Sequence, residues 1–482
     1  MNTSKFLASS AMVLMFSACA TLPDVDSDMS DSLSINDSWK TANTASIAVE
    51  NGWLDTLKND ELSSFIDEVL VANPNYNEVA LRMQAAGFTA DASAGRLLPR
   101  IGASASASRT GVETPISNTS NSFSIGLDAS WEADVWGKLS ANVAAAKANY
   151  EVAEYDFYGA RLSLAAQVAQ GWFDVIEAKQ QWDLSVGTVE NYDRATTIIR
   201  NRFERGLSSG LDLRLSITNL EAARASEKQN ESFYYQALRR LELFAGQYPA
   251  ADMVVSGNIP DELDDIPVGV PLDILERRPD LKSARARLYA AGYRAQAAEK
   301  AMLPSISITS RGSNTSDEFG QLLKFDNVFW NLVGGITQPI FQGGQLKYTA
   351  KAEQLNFEAQ KQNYARTLLQ AFKEVEDALD NDRSLAARVE HTELAVENAV
   401  AAERVALEQY SQGLIRIATL LQSQRSSLTQ QSQLISIKKQ RINNRISLYL
   451  SLGGDFSKDG SPMNQENAIN NNETNNIFLG GI

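Results

Sequence analysis

Gln345-Leu346-Lys347-Tyr348 opens a stretch that runs to Tyr410-Ser411-Gln412 without one glycine or proline. As a single helix it extends on the order of 100 Å at about 1.5 Å per residue. No ordinary globular core is that tall. Apolar residues recur within it at alternating steps of four and three: Leu368, Phe372, Val375, Leu379, Ala386, Val389, Val396, Val400, Leu407 and Tyr410, with Asp382, Glu393 and Glu403 in register. That 3.5-residue period predicts a left-handed coiled-coil seam.

The rest of the 482-residue chain is punctuated in a matching way. Prolines stand at 23, 74, 99, 115, 249, 260, 267, 271, 279, 304, 339 and 462, so that 116 to 248 and 340 to 461 are both proline-free. Two long helical tracts, each entered through a proline-marked segment, suggest one architecture used twice. Pro74, Ala85-Ala86-Gly87-Phe88 and Leu98-Pro99 return as Pro279, Ala290-Ala291-Gly292-Tyr293 and Leu303-Pro304, in the same order and at the same spacing.

After each second proline the pattern changes to alternation, the signature of a strand. Strands are expected at about 100–110 and 121–133 in the first half, and at about 304–312 and 327–340 in the second. Each half then reads helix, strand, strand, long helix, helix. The helical hairpins turn at Gly206-Leu207-Ser208-Ser209-Gly210 and at Gly413. Trp131 and Trp136 in one half, and Trp330 and Phe341 in the other, lie near the strand ends, which suits an interface girdle in a membrane; ordinary aromatic packing at a sheet edge is the alternative. Four strands cannot close a barrel and open edges cannot sit in lipid, so several chains must share one. The fold class is therefore mainly α with a membrane β-barrel.

Composition excludes other classes. A net charge of −15 opposes sequence-independent nucleic-acid binding. One histidine, His391, and one cysteine, Cys19, allow neither a disulfide framework nor a Cys/His metal site within the chain. The Gly206 to Gly210 segment fits the pattern of a hydrolase nucleophile elbow, but that motif needs a preceding strand and a histidine partner. A long helix precedes it instead. No catalytic residue and no cofactor is assigned.

Residues 1–18 have the charge and short apolar run of a signal peptide. Phe16-Ser17-Ala18-Cys19 resembles the lipobox of bacterial lipoproteins, which implies lipid on Cys19 and, with Ala20 following, an outer-membrane address. Cleavage after Ala20 is the rival reading. Residues 19–52 then form an anchored arm, 53–247 the first repeat, 248–278 a linker belt, 279–454 the second repeat and 455–482 a disordered tail.

Pro267-Val268-Gly269-Val270-Pro271 followed by Leu275-Glu276-Arg277-Arg278-Pro279-Asp280-Leu281 resembles the linker signature of the TolC-like outer-membrane efflux ducts, in their NodT-type lipoprotein branch. Tyr410-Ser411-Gln412-Gly413-Leu414 with Leu420-Leu421-Gln422-Ser423-Gln424-Arg425 is similar to that branch's second helical turn. The resemblance implies a homotrimer with a 12-stranded barrel on a long periplasmic tunnel, joined to a periplasmic adaptor and an inner-membrane pump. It also implies a periplasmic gate at Ala418, Gln422 and Arg425, with Asp212 in the first turn. Where family members carry an acid this chain has Gln422. The implied function is an outer-membrane exit duct for small molecules. A lipid-anchored scaffold without a pore is the alternative.

Overall fold

A computed structural model describes residues 38–40, 51–57, 59–112, 118–260, 263, 269, 271–324 and 328–457. The signal peptide, Cys19 and residues 458–482 of the tail lie outside the described residues.

In the first half, α1 (Asp60–Ala72) and α2 (Pro74–Ala94) lead into β1 (Arg100–Val112) and β2 (Asn118–Ala133). Then come the long helix α3 (Lys138–Glu204) and its return, α4 (Gly210–Phe244). In the second half, α5 (Pro279–Lys300), β3 (Ser305–Ser316) and β4 (Phe329–Thr337) are followed by α6 (Gln345–Gln412) and α7 (Ile417–Ser451). The last strand ends three residues before the expected 340, because Pro339 offers no N–H to a ladder. Phe341 consequently lies in the connection to α6 and not at a strand end. Contacts divide the chain into two compact units, and both long helices contribute to each.

One unit draws on Arg82–Tyr155 and Leu281–Thr367 and contains the sheet. The two expected hairpins join: β2 pairs with β3, giving the antiparallel order β1-β2-β3-β4. β1 and β4 each keep one edge without a strand among the described residues. Cross-strand register places Ile101, Leu127, Ile308, Trp330, Leu332 and Ile336 on one face, and all six are exposed. The other face carries Ser104, Ser106, Ser124, Ser130, Thr309 and Ser313, together with Asp128 and Arg311, and on β4 the exposed Phe329 and Val333. At the end where the helices join, Trp131 Nε1 donates to the Leu97 carbonyl at 2.9 Å and Trp136 Nε1 to the Pro304 carbonyl at 2.7 Å.

The second unit draws on Asp156–Asp280 and on described parts of 34–81 and 368–482. Its core gathers Leu62, Phe65, Ile66 and Val69 of α1, Val168, Trp172 and Phe173 of α3, Leu238 and Leu241 of α4, and Ile442 and Ile446 of α7. The buried stripe of α6 in this unit is Leu368, Ala371, Val375, Ala378, Leu385, Val389, Ala406 and Tyr410. It keeps one expected heptad row and replaces the other: Ala371, Ala378, Leu385 and Ala406 are buried in place of the expected Phe372, Leu379, Ala386 and Leu407. Small side chains let the helices approach closely, and Val400 of the expected row is exposed. At the in-register Asp382, Arg445 of α7 donates Nε to Oδ1 at 2.5 Å and Nη2 to Oδ2 at 2.9 Å.

The repeat extends to single hydrogen bonds. Asn73 Nδ2 donates to the Phe244 carbonyl at the end of α4 (2.8 Å), while its Oδ1 accepts from Tyr76 N and caps α2. Arg278, in the equivalent place, donates Nη1 to the Ser451 carbonyl at the end of α7 (3.1 Å). Its Nε and Nη2 grip both carboxylate oxygens of Asp280, and Nη2 also reaches Glu374 at 2.7 Å. Beside this node lies a cavity of about 510 Å³ bounded by α3, α6 and α7 residues.

Two sequence expectations change here. The composition of the tail predicts disorder from 455, but Asp455 pairs with Arg161 at 2.8 Å and Phe456 is buried beneath the same guanidinium. Within the anchored arm, Trp39 is buried edge-on against Phe372, which is therefore covered from the arm and not by the α6–α7 seam. No described helix is long and apolar enough to cross a membrane, which says nothing of a barrel.

Candidate functional site

Four helices of the second unit meet at two turns. α3 ends at Gly206 (φ +72°) and α6 at Gly413 (φ +80°), a region of backbone space that glycine enters without steric cost. Each turn closes the same way. Gly206 N donates to the Phe203 carbonyl and Leu207 N to that of Arg202, just as Gly413 N donates to Tyr410 and Leu414 N to Gln409. This paired pattern satisfies carbonyls that a helix end leaves open. Gly210, expected within the turn, is the first residue of α4 and has no positive φ.

Between the turns lies Arg202, which the sequence alone did not single out. Its Nη1 donates to the Ser411 carbonyl at 2.7 Å, and its guanidinium sits 5.5 Å from the Tyr410 ring centroid. One cation of α3 thus ties the first turn to the second. A partner that is a main-chain carbonyl two hundred residues away leaves no signal in the residues around Arg202. Tyr410 is buried with Ile199, Ile417 and Leu420. Burial, and next the Asp212 carboxylate, push the Tyr410 hydroxyl pKa up, while Arg202 opposes them.

Asp212 forms a capping box with Ser209: Asp212 N donates to Ser209 Oγ at 3.1 Å, and Ser209 N to Asp212 Oδ2 at 3.3 Å. The carboxylate is occupied in starting α4. Ala418, Gln422 and Arg425 are all exposed, while Leu420, Gln424 and Ser427 between and beside them are buried. Positions spaced by four and three share one helix face, so the three form one exposed stripe of α7 directed away from the packed side, polar at Gln422 and Arg425. Behind it, burial raises the Glu403 pKa, opposed by a hydrogen bond from Ser427.

The girdle candidates occupy the sheet unit. Trp330 is exposed on the apolar face, Phe341 is exposed, and Trp131 and Trp136 are held by the carbonyl bonds described above. Ser208, the nucleophile of an elbow reading, follows a helix, and its Oγ donates to the Ile199 carbonyl. Among the described residues no group of three His, Cys, Asp or Glu is arranged to hold a metal.

The sequence profile described as "Outer membrane efflux protein" matches residues 65–247 and 270–454, one match per repeat. The chain belongs to the outer membrane efflux protein family. It is 28% identical over 414 residues to the cation efflux system protein CusC of Escherichia coli O6:H1, covering 84% of this chain and 89% of CusC. It is 27% identical over 430 residues to the toluene efflux pump outer membrane protein TtgC of Pseudomonas putida, covering 88% and 89%. A crystal structure of CusC, described in terms of transmembrane channel formation, superposes with a TM-score of 0.79 at 26% identity, covering 87% of this chain and 97% of that one. This family member is an outer-membrane exit duct for efflux, TolC-like and built from an internal repeat.

Proposed function

We propose that three copies of this chain assemble into a single duct. Their twelve strands close one barrel in the outer membrane, and their long helices line a periplasmic tunnel. The observation that carries this reading is the sheet itself. Among the described residues it has two open edges and one face of exposed large apolar side chains, a combination that a closed barrel in lipid covers. Cyclic pairing of β4 with the β1 of the next copy removes every edge.

In this reading Cys19 carries the lipid anchor in the outer membrane. The two hairpin turns face the periplasm and meet an adaptor and an inner-membrane pump. Ala418, Gln422 and Arg425 line the narrow end, with Asp212 setting the start of the neighbouring helix. Transport through such a duct breaks no bond, so no catalytic residue is needed. Relatives of nearly equal identity bear names for cation and toluene efflux, which fits a duct that receives its cargo from the pump.

The test combines mass measurement in detergent with conductance in a planar bilayer. A species of three chains that forms ion-conducting pores is expected. A monomer without conductance would favour a lipid-anchored scaffold instead.

A further inference from the structure

After β3, the described residues 319–322 lie against the apolar face of the sheet. The short helical turn Phe319–Gln321 brings the Phe319 ring edge-on to Phe123 of β2, 5.6 Å between centroids. Leu322 is buried. What pins it there is Asn314, which register places opposite Ile125 on the apolar side of β3. Asn314 is 4% exposed, and its Nδ2 donates twice, to the Leu322 carbonyl at 2.8 Å and to the Lys324 carbonyl at 2.9 Å. An amide on a wall that faces hydrocarbon is costly unless its hydrogens find acceptors. Here the folded-back segment supplies both.

The segment in turn presents new apolar surface. Phe319 is 72% and Leu323 69% exposed, and Phe319 sits against Phe123, on the strand face that also carries Leu127. We infer that this segment is a lipid-facing clasp: Asn314 holds it along the outer wall, and Phe319 and Leu323 insert among the acyl chains of the outer leaflet. It rests on the barrel reading above. Two consequences follow from the geometry. The clasp widens the apolar girdle on the second repeat, and residues 319–324 lie along the wall and not across the exit of the duct.

Spin labels at Phe319→Cys, Leu323→Cys and Leu127→Cys in the full-length protein, reconstituted in vesicles, test this by collision with oxygen and with a water-soluble nickel chelate. The signal of the parent carrying Cys19 alone is subtracted. Labels at 319 and 323 are expected to match 127, with oxygen collisions dominant. Nickel collisions dominating at 319 and 323 while 127 stays in lipid would overturn the clasp and leave the barrel standing. Nickel access at 127 would sink both. Asn314→Ala is expected to lower the oxygen-to-nickel ratio at 319 several-fold, and an unchanged ratio would remove Asn314 from its role. Should that variant fail to insert, the labels in the native background still decide.

Discussion

Arg278 donates a hydrogen bond to the main-chain carbonyl of Ser451 at 3.1 Å, where the other half of the molecule uses Asn73 and Phe244 at 2.8 Å. Both bonds satisfy an orphan carbonyl at the last turn of a returning helix. Both come from the residue that precedes a helix-starting proline. The second half adds charge: Arg278 is buried, and Asp280 and Glu374 neutralise it.

Removing Arg278 deletes hydrogen bonds to two carboxylates and a main-chain carbonyl at once. Arg278→Ala is expected to destabilise the helical unit by roughly 1.5–3 kcal/mol, because Asp280 and Glu374 are half-exposed and water screens the charges left behind. Arg278→Lys should recover only some of this, since an ammonium cannot span both oxygens of Asp280. Chemical denaturation midpoints of the two variants check the order.

Glu242 gives a pH dependence. Its buried carboxylate accepts from the amides of Ala251, Asp252 and Met253, and Ala251 stands at φ +62° to bring them together. Burial alone would raise its pKa. The three amides outweigh burial and hold it below the ordinary 4.5. A depressed folded-state value means stability that is present above pH 4.5 and lost as pH falls through the folded value. Wild type should exceed Glu242→Gln in urea midpoint at neutral pH, and the gap should narrow in acid. A constant gap would remove the carboxylate charge as the cause.

The two turn glycines differ in surroundings. A Cβ on Gly206 meets nothing within 4 Å, whereas one on Gly413 comes to 3.2 Å from Arg202 Nη2. Gly206→Ala should cost about 1–2 kcal/mol from backbone strain alone. Gly413→Ala should cost more and loosen the Arg202 tie as well. Hydrogen exchange at the amides of Gly413 and Leu414 reports the difference. Arg202→Ala should speed the same amides without changing exchange in α1.

Gln422→Asp would place a carboxylate on each copy of the exposed α7 stripe. In the proposed duct three such groups would ring the narrow end and attract cations. Bilayer recordings should show a reversal potential shifted toward cation selectivity, and an unshifted potential would exclude this ring from control of the pore.

Strand alternation and the long glycine- and proline-free tracts were readable because both depend on local chemistry. The choice between neighbouring stripes of α6 was not. Phe372 and Leu379 look like better core residues than Ala371 and Ala378. Close helix approach selects the alanines, and Trp39 covers Phe372 from a stretch of chain with no periodicity. Gly206 and Gly413 were legible as turn glycines, whereas Gly210 starts α4. Arg202 and Glu242 were not, since what they bind is backbone, whose position is set only once distant helices meet.

The Asp382–Arg445 pair bears on how a tip of this kind can move. A piston-like slide of α6 past α7 would pull apart a largely desolvated ion pair, a penalty on the order of several kcal/mol. Rotation or bending of the two helices as one lever leaves the ions joined. The pair thus acts as a bolt against translation: Arg445→Ala, which removes it, should loosen the α6–α7 register, read as faster hydrogen exchange in both helices, while Arg445→Lys should restore part of the protection.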